Sequence, residues 1–372
     1  MRVSIISLTN ETISCIRRFS QEIVVFSVAE KDYRLWENTI SKLGCIITSV
    51  DAAIIAYRNH QFDKFIIPCL LKGNVLSTMY VFLKSYDIPD DDILYVPYHV
   101  IKDNNPILPD RLCKFIERRE LDRLELHIND HCNLRCSNCS MLAGLVHDIT
   151  NADVELTRQS LLKLRSVFSH IIEIDIFGGE PLLNPNLKMY CGFLRELFPD
   201  AVIFIVTNGI KLCTLNHDIL RSIQTNHIQL SITYYPIFDE YIEQAMQLCQ
   251  EWSISFVILQ KRVNFLNLYD FSGEQNADEV FHLCKRRLSI VAMRENKLAS
   301  CYTPFAFCYA EKQFKIGYKE TGIVDILSEE LTPSDIITRF MQPMDCCRFC
   351  HCDKSKWYQI GNQSINETDW SK

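Results

Sequence analysis

Leu124-Glu125-Leu126-His127-Ile128-Asn129-Asp130 runs directly into His131-Cys132-Asn133-Leu134-Arg135-Cys136-Ser137-Asn138-Cys139. The first seven residues alternate apolar and polar side chains, the period of a half-buried strand. The cysteines that follow have the spacing C-x₃-C-x₂-C. Three thiolates on one short loop can hold three corners of a [4Fe–4S] cube, which normally takes four, so one iron is left open to a non-protein ligand. An open iron is a place for chemistry, whereas a fully ligated cluster only passes electrons. The competing reading is a zinc knuckle, with His131 or His147 as fourth ligand.

Outward from this stretch the chain repeats a β/α beat. Strands are expected at Leu124–Asn129, Ile172–Phe177, Val202–Thr207, Ile228–Thr233 and Ser255–Leu259. Helices are expected between them at Val154–Phe168, Leu187–Leu197, Asp218–Gln224 and Tyr241–Trp252. Successive βα units with right-handed crossovers make an open or a barrel-like sheet. Leu124, Leu126 and Ile128 share one strand face, and Glu125, His127 and Asn129 share the other. Ile172, Ile174 and Ile176 oppose Glu173 and Asp175, and Ile228, Leu230 and Ile232 oppose Gln229, Ser231 and Thr233. A polar face inside a barrel is costly unless hydrogen-bonded or wet, which points to a ligand-binding lumen. On an open sheet the same face would meet solvent. His127, Glu125 and Asp175 are the candidates there for substrate hydrogen bonds or proton transfer.

Residues 1–120 read as a separate, smaller Rossmann-like parallel α/β domain, with strands at Ile23–Val28, Ile46–Val50, Phe65–Cys69 and Ile93–Val96 and a helix over Val75–Tyr86. The first of these strands runs into Ser27–Asp32 with no glycine fingerprint, so docking or substrate recognition is expected of it rather than dinucleotide binding. Residues 121–270 carry the regular β/α beat. In residues 271–372 the beat breaks into short strands, Leu288–Ala292 and Lys297–Cys301, long connections and a cysteine cluster, the signature of a small α+β domain held by metal.

The strand ending at Phe177 opens into Gly178-Gly179-Glu180-Pro181, and the next into Thr207-Asn208-Gly209. In βα folds such strand ends gather on one rim, so the cysteine, Gly178 and Asn208 loops are expected to converge. The combination of C-x₃-C-x₂-C after one strand and Gly-Gly-Glu-Pro after the next resembles the radical S-adenosylmethionine (radical SAM) superfamily. That resemblance implies a partial (β/α)₆ barrel and a cluster on Cys132, Cys136 and Cys139. It implies further that S-adenosylmethionine chelates the open iron, with Gly178, Gly179, Glu180 and Pro181 at its methionyl group and Asn208 and Ser231 at the rest. Asn138 departs from the pattern, in which an aromatic residue commonly precedes the third cysteine.

The tail carries Cys284, Cys301 and the run Cys346-Cys347-Arg348-Phe349-Cys350-His351-Cys352. It is similar to the twitch extension of radical SAM aminocyclitol dehydrogenases. By that resemblance Cys284, Cys301, Cys347 and Cys350 close a second [4Fe–4S] cluster, with Cys346 and Cys352 as competitors and structural zinc as the alternative. Cys308 is expected to be buried.

Composition excludes several classes. The chain has 372 residues, 48% hydrophobic and 23% charged, and its net charge of −7 argues against a nucleic-acid binder. No signal-peptide pattern or membrane-length apolar run is present. Seventeen cysteines without an export signal suit metal ligation in a reduced, cytoplasmic protein. Lys285-Arg286-Arg287 and Arg118-Arg119 could steer an acidic electron donor of flavodoxin or ferredoxin type. The expected function is hydrogen abstraction from a small polyol, sugar or amino sugar, leading to oxidation or epimerisation. The tail also resembles radical SAM proteins of surface-polysaccharide biosynthesis. The alternatives are ribosomal-peptide maturation (a thioether, carbon–carbon bond or epimer) and a non-catalytic electron carrier or redox sensor.

Overall fold

Strand and helix periods alternate along most of this chain, and the computed structural model turns them into two α/β units. It describes residues 3–6, 46–48, 54–55, 57–60, 64–67, 80–81, 83–95, 97, 112–235, 239–259, 264–284, 290–328, 330–351 and 356–359. One unit comprises Met1–Glu120 with 287–289 and 332–338; the other comprises Leu121–Arg286, Ile290–Leu331 and Arg339–Lys372.

The first unit holds β1 (Val3–Ile6), β2 (Ile46–Thr48), β3 (Lys64–Ile67), β4 (Ile93–Tyr95) and β5 (Cys113–Lys114) in the order β2-β1-β3-β4-β5. The pairings are parallel except β4 with β5. Strand β1 lies between β2 and β3; with three apolar side chains around Ser4 and no turn residues to mark it, it was not among the expected strands. Ile23–Val28 and Ser27–Asp32 lie outside the described residues. Phe65, Ile93, Tyr95 and Phe115 are buried, and Tyr80 stacks on Phe115 with ring centres 4.5 Å apart.

The second unit is built on β6 (Glu120–Asn129), β7 (His170–Gly178), β8 (Val202–Thr207), β9 (Gln229–Ile232) and β10 (Phe256–Ile258). A short strand β11 (Asn264–Asn267) follows, then β12 (Val291–Arg294), β13 (Lys297–Ala299) and β14 (Val324–Asp325). Eight of these form one sheet in the order β10-β9-β8-β7-β6-β12-β13-β14. Pairing is parallel from β7 to β10 and again between β6 and β12, and antiparallel across β12-β13-β14. The strands of the cysteine-rich segment thus continue the sheet that carries the C-x₃-C-x₂-C loop. A last strand, β15 (Lys356–Gln359), pairs antiparallel with β11.

Between the parallel strands lie α1 (Val154–Val167), α2 (Leu187–Leu197), α3 (His217–Thr225) and α4 (Ile242–Glu251). Asp153 caps α1 by accepting from the Leu156 amide at 2.7 Å, and Asn216 caps α3. The buried stripe of α1, Leu161, Leu164 and Val167, has the three-and-four spacing of a helix that covers a sheet. Leu124, Leu126, Ile128, Ile174 and Ile176 are all fully buried. The opposite, polar face is not open to solvent, because Glu125, His127, Asn129 and Asp175 are buried as well.

At His127 that face is covered by an apolar cluster supplied largely by the tail. It joins Tyr269, Phe271, Phe281, Phe305, Phe307 and Phe349 to Ala292 on β12 and to Leu142 and Leu145 beyond the cysteine loop. Helices α5 (Ala277–Leu283), α6 (Thr303–Phe314) and α7 (Pro333–Phe340) complete the chain. Cys308 lies on the outer side of α6 and is exposed, not buried; Thr303, Ala306, Phe307 and Ala310 form the inner side. Among the described residues no helix is long and apolar enough to cross a membrane.

Candidate active site

At the C-terminal ends of β6, β7 and β8, backbone and side-chain hydrogen bonds tie three loops together. Gly179 N donates to Asn129 O at 2.9 Å and Glu180 N to His131 O at 3.0 Å. The Asn129 side-chain amide donates to both His131 O and Glu180 O, at 2.9 and 3.0 Å. The β7 loop therefore lies flat against the root of the cysteine loop. This contact explains the two glycines. A Cβ on Gly179 would stand 2.2 Å from His131 O and 2.4 Å from Asp130 O, and one on Gly178 would stand 2.2 Å from Asn129 O. Gly178 also has φ +151°, which disfavours any residue with a Cβ.

Glu180 braces the third loop. Its carboxylate accepts from Thr207 Oγ1 at 2.6 Å, from Asn208 N at 2.9 Å and from Leu182 N at 3.1 Å, capping the turn that Pro181 begins. Burial pushes this carboxyl up to about 7, against the pull of those three donors. An ionised carboxylate has about four acceptor sites, so most of its capacity is used within the protein. Asn208 then reaches back across the rim, donating from Nδ2 to Asn133 Oδ1 at 2.8 Å, with Cys132 Sγ at 3.9 Å. The three loops do converge. Ser231 is half-buried on β9, in register with Val206 of β8.

Cys132, Cys136 and Cys139 line the first of these loops. Among the described residues no three His, Cys, Asp or Glu side chains are gathered tightly enough to hold one metal ion. His131 is occupied with the backbone of Thr150, and His147 is exposed. Burial pushes the Cys132 and Cys139 thiols up and the Cys136 thiol up to about 12, and the charges of neighbouring cysteines add to the rise at Cys132 and Cys136. Thiols this costly to ionise become thiolates when a cationic group sits among them, since a coordinating thiol is deprotonated outright. Three thiols on one loop are the donor type of an iron–sulfur group, which is larger than a single ion. Asn138 has φ +58°, a left-handed conformation that asparagine tolerates better than an aromatic residue, which gives a local reason for its place before Cys139.

Sequence reasoning missed the clasp around this loop's base. Arg294 of β12 donates to both carboxylate oxygens of Asp130, at 2.6 and 3.1 Å, and Tyr309 of α6 donates to Oδ2 at 2.6 Å. Deeper on the same face, Asp175 is paired with Arg123, which also bridges to Glu173. Burial works against the Arg123 charge, but Asp175, Glu125 and Glu173 outweigh it and hold the guanidinium up. Asp175 is thus already engaged. His127 is different. It is fully buried, walled by Phe177, Tyr302 and Phe305 at ring distances of 5.4, 6.3 and 5.9 Å, and among the described residues neither ring nitrogen has a hydrogen-bond partner. Burial lowers it to about 4, so it is neutral at pH 7.

In the tail, Cys346 is fully buried and donates toward Cys301 and Cys347, which holds its proton on; the same bond lowers Cys347. Cys350 acts on Cys346, and Cys284 at the end of α5 acts on Cys347. Cys346 thus bonds to Cys301 and Cys347, with Cys350 and Cys284 close enough to act on that set; Cys352 lies outside the described residues. Arg348 clamps the run by donating to Gly317 O at 2.7 Å, Asp345 Oδ1 at 2.9 Å and Gly273 O at 3.1 Å. Lys285-Arg286-Arg287 lies outside the described residues. In the first unit Arg118 is buried with its guanidinium 4.6 Å from the Phe115 ring centre, which leaves only Arg119 of that pair exposed to steer a partner.

Comparison with known proteins adds names to this geometry. No family model matches the chain. Over 94 residues it is 36% identical to molybdenum cofactor biosynthesis protein 1 of Bos taurus, covering 25% of this chain and 14% of that protein. Over 116 residues it is 29% identical to a GTP 3',8-cyclase of Geobacter sulfurreducens, covering 31% and 35%. A GTP 3',8-cyclase of Syntrophomonas wolfei is 24% identical over 170 residues, covering 44% and 51%. The chain spans about half or less of the length of these relatives. Among solved structures, BtrN in complex with AdoMet and 2-DOIA aligns with TM-score 0.42 and 20% identity, over 62% of this chain and 92% of that one.

Proposed function

We propose that the chain is a radical SAM enzyme that abstracts hydrogen from a small polyol, sugar or amino sugar, leading to oxidation or epimerisation. The observation that carries this reading is the hydrogen-bonded rim on which Asn129, Glu180 and Asn208 bind the cysteine loop to the loops after β7 and β8. In this reading Cys132, Cys136 and Cys139 hold a [4Fe–4S] cluster with an open iron, and β6–β10 belong to a partial (β/α)₆ barrel. When bound, cluster and S-adenosylmethionine supply a 5′-deoxyadenosyl radical under reduction.

The protein's own residues then divide the remaining work. Gly178, Gly179 and Pro181 form the ledge for the methionyl amino group. Glu180 shapes that ledge, with its remaining acceptor capacity turned to the ammonium, and Asn208 and Ser231 border the rest of the cofactor. The polar face of β6 and β7 receives the substrate. There His127, neutral and without a partner, accepts a hydrogen bond or a proton from a substrate hydroxyl, and Asp175 keeps Arg123 in place beside it. The tail cysteines Cys284, Cys301, Cys347 and Cys350, with Cys346 beside them, would hold a second cluster, which would supply a one-electron acceptor for oxidation, the hydroxyl proton passing to His127. A flavodoxin- or ferredoxin-type donor supplies the first electron. The free state of the described cysteines suits a reducing, cytoplasmic setting.

Anaerobic reconstitution tests the reading. Two cubane clusters require about eight irons per chain, and joint replacement of Cys284, Cys301, Cys347 and Cys350 is expected to halve the count. With dithionite and S-adenosylmethionine the iron-replete protein is expected to release 5′-deoxyadenosine. Its absence would remove the enzyme reading and leave an electron carrier. Deuterated polyols and amino sugars, GTP and short peptides, offered in turn, identify the substrate class by the one that passes deuterium into 5′-deoxyadenosine.

A further inference from the structure

The polar face of the parallel sheet changes character from one strand to the next. Register carries it across the sheet: Asp175 of β7 lies opposite Phe204 of β8, and Phe204 opposite Gln229 of β9. Two residues further along, Val206 lies opposite Ser231, and Ser231 opposite Val257 of β10. From β7 to β10 the face is three strand spacings wide, about 14 Å. On its β6 and β7 side Glu125, His127 and Asp175 are buried. Phe204, Val206, Gln229 and Ser231 are half-buried, whereas Val257 and Leu259 are 43% and 38% exposed. Among the described residues the face is therefore closed at β6 and open at β10. Between the two ends stand an aromatic ring, an amide and a hydroxyl.

The charge on this face is one-sided. Glu125, Glu173 and Asp175 share it with Arg123, whose guanidinium is engaged by Asp175 and Glu173. On the flanking strand, Ala292 lies opposite Glu125, and Arg294 is engaged by Asp130. A phosphate or carboxylate is held by guanidinium or ammonium donors turned toward it, and a surface rich in carboxylates repels it. A ring of the size and exposure of Phe204, with the Gln229 amide in register beside it, suits a different ligand. Its π face takes the C–H side of a saturated ring, and the amide donates to or accepts from a hydroxyl on the rim.

We infer that Phe204 and Gln229 are the specificity-determining residues of this face, and that it takes a cyclic polyol or amino sugar bearing neither phosphate nor carboxylate. The ring stacks on Phe204, Gln229 bonds a ring hydroxyl, and the closed end of the face meets the ligand with His127. This deepens the polyol reading above and rests on it.

Saturation-transfer NMR on the full-length protein tests this with glucosamine, myo-inositol, glucosamine 6-phosphate and GTP as probes. Glucosamine and myo-inositol are expected to bind, and the two phosphorylated probes several-fold more weakly. Phe204→Leu and Gln229→Leu, which keep an apolar side chain in place, are each expected to weaken glucosamine and myo-inositol several-fold. Leu162→Ala, at an exposed position of α1, serves as the unchanged control. Gln229→Lys supplies a cation to the face, so it is expected to weaken glucosamine and strengthen glucosamine 6-phosphate, an exchange that lost packing alone does not produce. Phosphorylated probes that equal or exceed glucosamine in the wild type overturn the proposal. So does failure of both unphosphorylated probes to bind, or binding that ignores the Phe204 and Gln229 variants. Release of 5′-deoxyadenosine is measured separately on the reconstituted protein. Release together with a preference for phosphorylated probes keeps the enzyme reading and removes this one. No release, with the preference for unphosphorylated probes and its response to the variants intact, removes the enzyme reading and leaves the ligand preference of the face in place.

Discussion

Around Cys132, Cys136 and Cys139 the holding is done by main chain. Gly179 and Glu180 amides bond to carbonyls of the cysteine strand, and the glycines are needed because two backbones lie in direct contact. Around Cys301, Cys346, Cys347 and Cys350 it is done by side chains: Arg348 across three carbonyl or carboxylate acceptors, and Phe307, Tyr318 and Phe349 packed edge to face. A backbone-built site has little freedom to deform, which suits a cofactor that must be presented to a substrate in one orientation. A site built on aromatic packing depends on the integrity of a core.

The contrast breaks most sharply at Gly179. In Gly179→Ala the new methyl meets two main-chain carbonyls that cannot swing aside, so a loss of about 3 kcal/mol is expected, the upper range for overpacking. Iron at the first constellation should fall with it, while the tail keeps its share. Denaturant unfolding of the variant, with iron counts before and after joint replacement of the tail cysteines, checks both. Equal loss from the two sites would mean that they are not separately supported.

Arg348→Met is the counterpart in the tail. It preserves bulk over Phe349 but leaves Gly273 O and Gly317 O without this donor, and Asp345 with only the Lys319 amide, at a cost of about 2 kcal/mol. Iron should now be lost from the tail and kept at the first site, the reverse of Gly179→Ala. If Arg348→Met also abolishes S-adenosylmethionine binding, measured calorimetrically, the division of labour between the two sites is wrong.

How much of this was legible beforehand depends on range. Strands β6 to β9 and helices α1 to α4 announce themselves by local periodicity, and the convergence of Cys132, Gly178 and Asn208 follows from the parallel βα rule. The pairs that fix the site in place leave no local trace. Arg123 with Asp175, Arg294 and Tyr309 with Asp130, and Arg348 with Gly273 join residues far apart in sequence, each an ordinary charge in an ordinary stretch. Asp175 is legible as a candidate for substrate hydrogen bonds or proton transfer, but its pairing with Arg123 is not. The Gly178-Gly179 pair stands out in the sequence, but the contact with Asn129 and His131 that requires it does not. β1 was missed because Val3–Ile6 is too short and unpunctuated to be distinguished from any other apolar run.

His127 sharpens the comparison where the two regions meet, since Phe177 belongs to the β7 wall while Tyr302 and Phe305 come from the tail. Its folded value of about 4 lies below the ordinary 6.5. Between those values the unfolded chain binds a proton that the folded chain does not. The associated stability is therefore fully present above about pH 6.5 and is lost as pH falls toward about 4. In the metal-free chain this adds close to one proton to the slope, about 1.4 kcal/mol per pH unit. His127→Phe, which fits the aromatic walls, should remove it, and denaturant titrations of both forms at several pH values would reveal an unchanged slope if His127 titrates normally.

The smallest expected effect, at Asn138, asks whether backbone geometry alone chose this residue over an aromatic one. At φ +58° a side chain without a local polar group costs about 1 kcal/mol, whereas glycine costs little. Asn138→Gly should therefore leave stability and iron content close to wild type, and Asn138→Tyr should lower stability by that 1 kcal/mol unless the loop changes conformation. The informative outcome is S-adenosylmethionine affinity in Asn138→Tyr. If binding tightens in spite of the strained backbone, an aromatic contact with the adenine has been gained, and the main-chain control inferred for the whole first constellation must share its place with side-chain packing.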